Sequence, residues 1–308
     1  MGRSPNKRPL VSLIELHQID SLIGLKVMSG VGPNFIVIGA QRSGTTWLHR
    51  VLSQHERLWL TPVKELHYFD KQSIKLGVLS KYERHRARFW SFKRAAIDPR
   101  WFCRYWFMPR GDGWYGKLFR RARQRGKIAG EITPAYAALS EQKWDQIHSL
   151  LPEVRLIFVM RDPIARTWSA LRNNMKKGRI DPSSSVEDLI ELSLKSSISS
   201  RSDYIRAIRM VESRFGSERL HCCFFEELSR RPSAFADAIF EFLGVDPMGE
   251  DLALPAAVNS AAGGDQPPLA LQQALAKEYL PMVDYLAERF GNVPREWASR
   301  YRKLLDLG

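Results

Sequence analysis

Phe35-Ile36-Val37-Ile38-Gly39-Ala40-Gln41-Arg42-Ser43-Gly44-Thr45-Thr46-Trp47-Leu48 decides the fold of this 308-residue chain. Apolar, mostly β-branched residues run straight into a glycine loop, and helix-forming Trp47, Leu48 and His49 follow. The order reads as strand, turn and helix. Gly39 and Gly44 stand at the spacing of G-x-x-x-x-G-K-[ST], in which backbone amides wrap a phosphate at a helix N-terminus. The position after Gly44, normally a lysine that reaches the β- and γ-phosphates, is Thr45. The loop therefore keeps its anion hole and loses the group that reads the end of a triphosphate. Arg42 brings a cation to the middle of the loop instead. This combination points to a nucleotide whose transferred group sits where a β-phosphate would. The alternative is a Gly/Thr-rich β–α turn that holds no ligand.

Outward from this loop, apolar runs at Asn34–Gly39, Lys127–Glu131, Arg155–Met160 and Arg219–Phe225 read as buried strands. Helical patterns alternate with them at Thr45–Gln54, Glu141–Leu150, Pro163–Lys177, Val186–Lys195, Tyr204–Phe215 and Ser233–Leu243. Such alternation predicts an α/β fold of the P-loop type, three layers with a central parallel sheet flanked by helices. Ligands of such sheets bind beyond the carboxyl ends of the strands, where Gly39 and Arg161 fall. Asp162 and Pro163 suit the N-cap and first position of a helix, so Arg161 projects from an abrupt strand end with Ser169 two turns on. A guanidinium offers paired donors to a phosphate and a hydroxyl adds a third, although Arg161 could instead salt-bridge Asp162 or Glu131.

Length and composition fit one domain over 1–308, with 44% hydrophobic and 26% charged residues. Residues 1–30 read as an amphipathic segment, too polar for a membrane span or signal sequence. Residues 251–308 read as a loop, Asp251–Pro268, followed by one helix, about Leu269 to Phe290. Three cysteines, two of them adjacent, cannot build a disulfide framework, so a reducing cytoplasm is expected, and with no signal peptide or membrane anchor read in the sequence a bacterial source is expected. Neither a His/Cys nor an Asp-rich cluster suggests a metal.

The formal net charge of +14 is concentrated. From Lys81 to Lys127 there are 15 Lys or Arg against Glu83, Asp98 and Asp112, together with 12 of the 33 aromatics, Trp90, Trp101, Trp106 and Trp114 among them. We read residues 71–126 as a basic, aromatic-rich helical insertion on the acceptor side, whose field attracts anions. A non-enzymatic protein that binds single-stranded nucleic acid through 81–127 is one rival reading, and a P-loop kinase or nucleoside triphosphatase is another.

At Gln41-Arg42-Ser43-Gly44-Thr45-Thr46-Trp47-Leu48 the chain resembles the 5′-phosphosulfate loop of the sulfotransferases that use 3′-phosphoadenosine 5′-phosphosulfate, which most often carry lysine where Arg42 stands. Arg161-Asp162-Pro163 with Ser169 resembles their 3′-phosphate motif. Pro62-Val63-Lys64-Glu65-Leu66-His67-Tyr68-Phe69-Asp70 resembles the Lys-Glu-Pro-His-Phe-Phe-Asp segment of the heparan-sulfate-type subgroup, with Leu66 for proline and Tyr68 for phenylalanine. Ser202-Asp203-Tyr204 and Phe225-Glu226-Glu227-Leu228 fit the family's later pattern.

The resemblance implies sulfuryl transfer to a hydroxyl, less readily an amine, of a small-molecule or glycan acceptor of anionic or aromatic character. It requires no metal and implies no nucleic-acid partner. It assigns donor binding to Gln41, Arg42, Ser43, Gly44, Thr45, Thr46, Trp47, Arg161, Ser169 and Tyr204, with adenosine 3′,5′-bisphosphate as product. It assigns catalysis to Glu65 as general base, with Arg42, His67 and Lys64 assisting. His67 is the rival base, because cytosolic small-molecule sulfotransferases use a histidine, though one placed much further past the loop. Gly130-Glu131-Ile132-Thr133-Pro134-Ala135-Tyr136 resembles a segment near the acceptor but has Ile132 where the subgroup has lysine, which leaves Arg42 and Lys64 as the nearest cations.

Overall fold

The computed structural model describes residues 32–71, 98–255 and 266–307. The amphipathic segment expected over 1–30, residues 72–97 of the insertion and the middle of the Asp251–Pro268 loop lie outside the described residues.

Strands β1 (Phe35–Gly39), β2 (Leu58–Leu60), β3 (Ile128–Ile132), β4 (Arg155–Met160) and β5 (Leu220–Phe224) form a sheet in the order β2-β3-β1-β4-β5, parallel at every pairing. In such a sheet both faces are covered, so a strand can be apolar throughout while its period of two still sorts side chains between faces. Phe35, Val37, Ile157 and Val159 point into one core and Ile36, Ile38, Leu156 and Phe158 into the other. β1 lies between β3 and β4, with Phe35 level with Gly130 on one side and Arg155 on the other. Both neighbours therefore end beside the glycine loop.

The helices among the described residues are α1 (Thr45–Leu52), α2 (Pro99–Phe107), α3 (Asp112–Gln124), α4 (Glu141–Leu150), α5 (Pro163–Lys176), α6 (Val186–Leu194), α7 (Ser196–Ser199), α8 (Tyr204–Phe215), α9 (Phe225–Arg230), α10 (Pro232–Leu243), α11 (Leu269–Phe290) and α12 (Asn292–Asp306). Leu48 and Val51 of α1 and Ile239 and Phe240 of α10 fill the first core. Residues of α3, α4, α5, α8, α11 and α12, such as Tyr115, Trp144, Leu171, Ile208, Leu275 and Tyr301, fill the second. The three layers match the expectation.

Two elements do not follow the sequence reading. β2 is a strand of three residues, too short to carry a period, and it is defined by pairing with β3. The C-terminal segment holds two helices instead of one. Gly291, at φ 67°, breaks the chain between them, and Val293, Trp297, Ala298 and Tyr301 give α12 a buried stripe.

The described half of the insertion is the helix pair α2–α3. Most of its rings face inward: Trp101, Phe102, Trp114, Tyr115 and Phe119 are buried, with Trp101 stacked on Tyr105 at 5.1 Å between centroids, whereas Phe107 is exposed. Stacking platforms for single-stranded bases need exposed faces, which these five rings lack. The cations lie outside, with Arg100, Lys117, Arg120 and Arg125 exposed.

Candidate functional site

The loop after β1 takes left-handed backbone at Arg42 (φ 73°) and at Gly44 (φ 80°), the cap of α1. Gly44 is required on two counts. An L-residue is disfavoured at that φ, and a Cβ there would lie 2.7 Å from Leu228 Cδ2 and 3.1 Å from the Phe225 ring. Arg161, at the end of β4, donates from Nη1 to the carbonyl of Arg42 at 2.9 Å and lies over the Phe225 ring at 4.4 Å. The expected helix start follows: Asp162 Oδ1 caps the Ala165 amide at 2.8 Å and Pro163 opens α5. Asp162 is paired with Arg300, and Glu131 is held by Tyr115, so neither is reserved for Arg161.

Loop and strand ends enclose a cavity of about 530 Å³. Gln41, Arg42, Gly44, Thr45, Thr46, Trp47, Lys64, Glu65, His67, Arg161 and Ser169 all line it, so nearly all the predicted residues converge. Two stand back. Ser43 is fully buried, with no hydrogen-bond partner for its hydroxyl. Tyr204 is also fully buried, and its hydroxyl donates to the Arg161 carbonyl at 2.8 Å. Its place is behind Arg161, supporting the strand end, and it does not line the cavity as a donor-binding side chain would.

Positions within the cavity differ from the simplest expectation. Arg42 leans away from its own loop and donates from Nε to Ser169 Oγ at 3.0 Å, which joins the two arginine-bearing turns. The cation over the loop is Lys64, whose ammonium lies 3.1 Å from Thr46 Oγ1, 3.4 Å from Thr45 Oγ1 and 3.3 Å from Glu65 Oε1. Glu65 Oε2 lies 3.3 Å from His67 Nε2, and His67 Nδ1 is 2.8 Å from Asp70 Oδ2. Lys64, Glu65, His67 and Asp70 thus form one line of alternating charge. Ile132 is buried in the core on the α1 face of the sheet and does not line the cavity.

Glu65 (φ 62°) and His67 (φ 55°) are both left-handed, a state that costs a non-glycine residue about 1–3 kcal/mol. The end of β3 holds them there. The Glu65 amide donates to the Ile132 carbonyl at 3.0 Å, and the Tyr68 amide donates to Tyr136 Oη at 3.0 Å. Tyr136, expected near an acceptor, is fully buried and serves as this anchor.

Electrostatically the cavity is short of negative charge. Among the described residues, six Lys or Arg line it (Arg42, Lys64, Arg161, Lys177, Arg179, Arg201) against one carboxylate, Glu65. Burial holds the Arg42, Arg161 and Arg201 guanidiniums below their ordinary value, with Arg172 adding to the effect at Arg42 and Arg166 at Arg201. Arg161 Nε is buried without a partner. For His67, burial alone would lower the pKa, but hydrogen bonds to Asp70 and Glu65 outweigh it and raise the net value. Desolvated cations and an unmet donor are the features of a site that an anion completes.

Sequence reading missed Arg201, whose guanidinium holds the Gln41 amide oxygen, and the polar face of α5. Asn173 and Lys177 line the cavity one and two turns beyond Ser169, so the i, i+4, i+8 spacing was the available signal. Among the described residues no group of His, Cys, Asp and Glu is placed to hold a metal ion, and no helix is long and apolar enough to cross a membrane.

Residues 33–249 match the profile of the sulfotransferase family, and the chain belongs to that family. Over 139 residues it is 27% identical to the membrane-associated sulfotransferase kil1 of Dictyostelium discoideum, a match covering 44% of this chain and 22% of that protein. The chain thus spans about a fifth of that curated relative's length. In fold it is similar to a sulfotransferase from Alicyclobacillus acidocaldarius (TM-score 0.60, 21% identity, 86% of this chain and 98% of the other). It is also similar to the sulfotransferase domain from the curacin biosynthetic pathway (TM-score 0.53, 19% identity, 75% and 80%).

Proposed function

We propose that the chain transfers a sulfuryl group from 3′-phosphoadenosine 5′-phosphosulfate to a hydroxyl of a small-molecule or glycan acceptor, with Glu65 as general base. The observation that carries this reading is the convergence of six cations on a glycine loop that has Thr45 at the lysine position, with one carboxylate beside them. A bisphosphorylated donor matches that charge, and the unpartnered Arg161 Nε suits a further phosphate oxygen.

The donor supplies the activated sulfur. Loop amides from Ser43 to Thr46, with Gln41, Trp47 and the Lys64 ammonium, hold its 5′ end. Arg161, Ser169 and Arg42 hold its 3′-phosphate, a grouping supported by the Arg42–Ser169 bond. Glu65 takes the acceptor's proton as the new O–S bond forms. As the S–O bond to the phosphate breaks, its electron pair leaves on that phosphate, where Lys64 stabilises the charge. The hydrogen bonds to Asp70 and Glu65 raise His67 and so favour its protonated form, which supports Glu65 over His67 as the base.

In this reading 1–308 works as one domain, with 71–126 on the acceptor side and no metal required. A reducing cytoplasm is part of the same proposal, supported by three free cysteines. Calorimetry tests the donor: adenosine 3′,5′-bisphosphate should saturate the site, and ATP titrating in its place refutes the reading. In Glu65→Gln, kcat should fall by roughly 10²–10⁴-fold with bisphosphate binding retained. Near-normal turnover removes Glu65 from the role.

A further inference from the structure

A second cavity, of about 430 Å³, adjoins the first. Arg201 lines both, and Asp70, in the wall of the second, holds His67, which in turn meets Glu65. Phe69, Ala138 and Leu139 give the lining an apolar part beside the hydroxyl-bearing Ser140 and Ser200. Asp70 meets His67 through Oδ2 only and keeps Oδ1 buried without a hydrogen-bond partner, and against this one carboxylate the wall sets two cations, Arg201 and Lys143. The volume falls within the ordinary range for one small molecule.

We propose that this second cavity is the acceptor site and that it selects a hydroxylated small molecule with a compact apolar body and a carboxylate, the carboxylate resting between Lys143 and Arg201 while the hydroxyl is directed past Arg201 to Glu65. The inference rests on the sulfotransferase reading of the first cavity. Two cations of different reach make the choice of an anion. Arg201 is fixed on Gln41, while Lys143 stands half-buried on the first turn of α4, 3.0 Å from the Gln146 amide oxygen. The alanines at 135 and 138 keep the space open, since larger side chains there would fill it.

The test uses the full chain loaded with adenosine 3′,5′-bisphosphate and compares 4-hydroxybenzoate with its methyl ester by ligand-observed NMR titration. The acid should bind about fivefold more tightly than the ester, the size of one half-exposed ion pair, and Lys143→Glu should abolish that preference while bisphosphate affinity and melting temperature stay unchanged. Equal binding of acid and ester, binding of neither, or a preference that survives Lys143→Glu overturns the assignment of this cavity. Loss of bisphosphate binding by the unmodified chain overturns the donor reading and the acceptor site with it.

Discussion

Replacing Glu131 by Gln isolates one buried charge that sits directly behind the candidate machinery. Glu131 is fully buried at the end of β3, where its oxygens accept from Tyr115 and from Thr133 at 2.8 Å, with Tyr136 at 3.4 Å. Burial raises its pKa from the ordinary 4.5 to about 7; the hydrogen bonds from Tyr115 and Thr133 pull the other way, and nearby Asp70 adds to the rise. A carboxyl raised on folding binds its proton more tightly in the folded state. Its contribution is therefore fully present below the unfolded value and lost as pH climbs through about 7. Each unit is worth about 1.4 kcal/mol, so the fold should lose about 3 kcal/mol on this account between pH 4.5 and 8. Gln keeps the shape and an acceptor for Tyr115, and its amide can donate to Thr133, but it does not titrate. Urea denaturation at a series of pH values should show Glu131→Gln gaining about 3 kcal/mol on the parent across this window, on the order of 6 °C in Tm. Other titrating groups shift both proteins alike and cancel in the difference. Parallel stability curves would refute the reasoning, because they would mean that Glu131 exchanges its proton equally in both states.

Gly44→Ala should destabilise the chain by about 3 kcal/mol, from the left-handed backbone plus the collision with Leu228 and Phe225, and should weaken bisphosphate binding; an unchanged melting curve counts against the loop geometry. Asp70→Asn removes the leading hydrogen bond that raises His67, so the imidazole's NMR titration midpoint should fall below the parent's; an unmoved midpoint would leave burial and Glu65 as its only determinants. Arg161→Ala should weaken adenosine 3′,5′-bisphosphate binding at least roughly tenfold by calorimetry, since it removes both a buried donor and the support of the Arg42 carbonyl. Full affinity in that variant would take Arg161 out of the donor site.

The parts of this molecule legible in its sequence are those where local pattern and global position agree. β1, β4 and β5 are apolar on both faces, which only a covered parallel sheet accommodates, and the glycine spacing placed the loop at the sheet's central strand. β2 was not legible, because three residues have no period and Leu58–Leu60 is a strand only by virtue of β3. Most residues of the candidate site were found, because their motifs are contiguous. Arg201 was not, since nothing in Ser199-Ser200-Arg201 states that its guanidinium reaches the loop at Gln41, 160 residues earlier in the chain. The mirror case is Tyr204, which is contiguous with a motif yet turned inward to Arg161.

Backbone at the base is the feature furthest from sequence. Glu65 does not favour left-handed backbone and His67 does so only among the uncommon non-glycine cases, and the residues around them contain no glycine to signal it. The conformation is imposed from the end of β3 and the turn that follows it, by the Ile132 carbonyl on the Glu65 amide and by Tyr136 Oη on the Tyr68 amide. These two bonds bracket the turn and tie it to the same strand end that buries Glu131. Leu66, buried between the two strained residues, pins the turn from below, so that Glu65 and His67 point together toward the cavity. The Glu65 carboxylate is thus aimed by a neighbouring strand, and the strain is sustained by the core packed against β3.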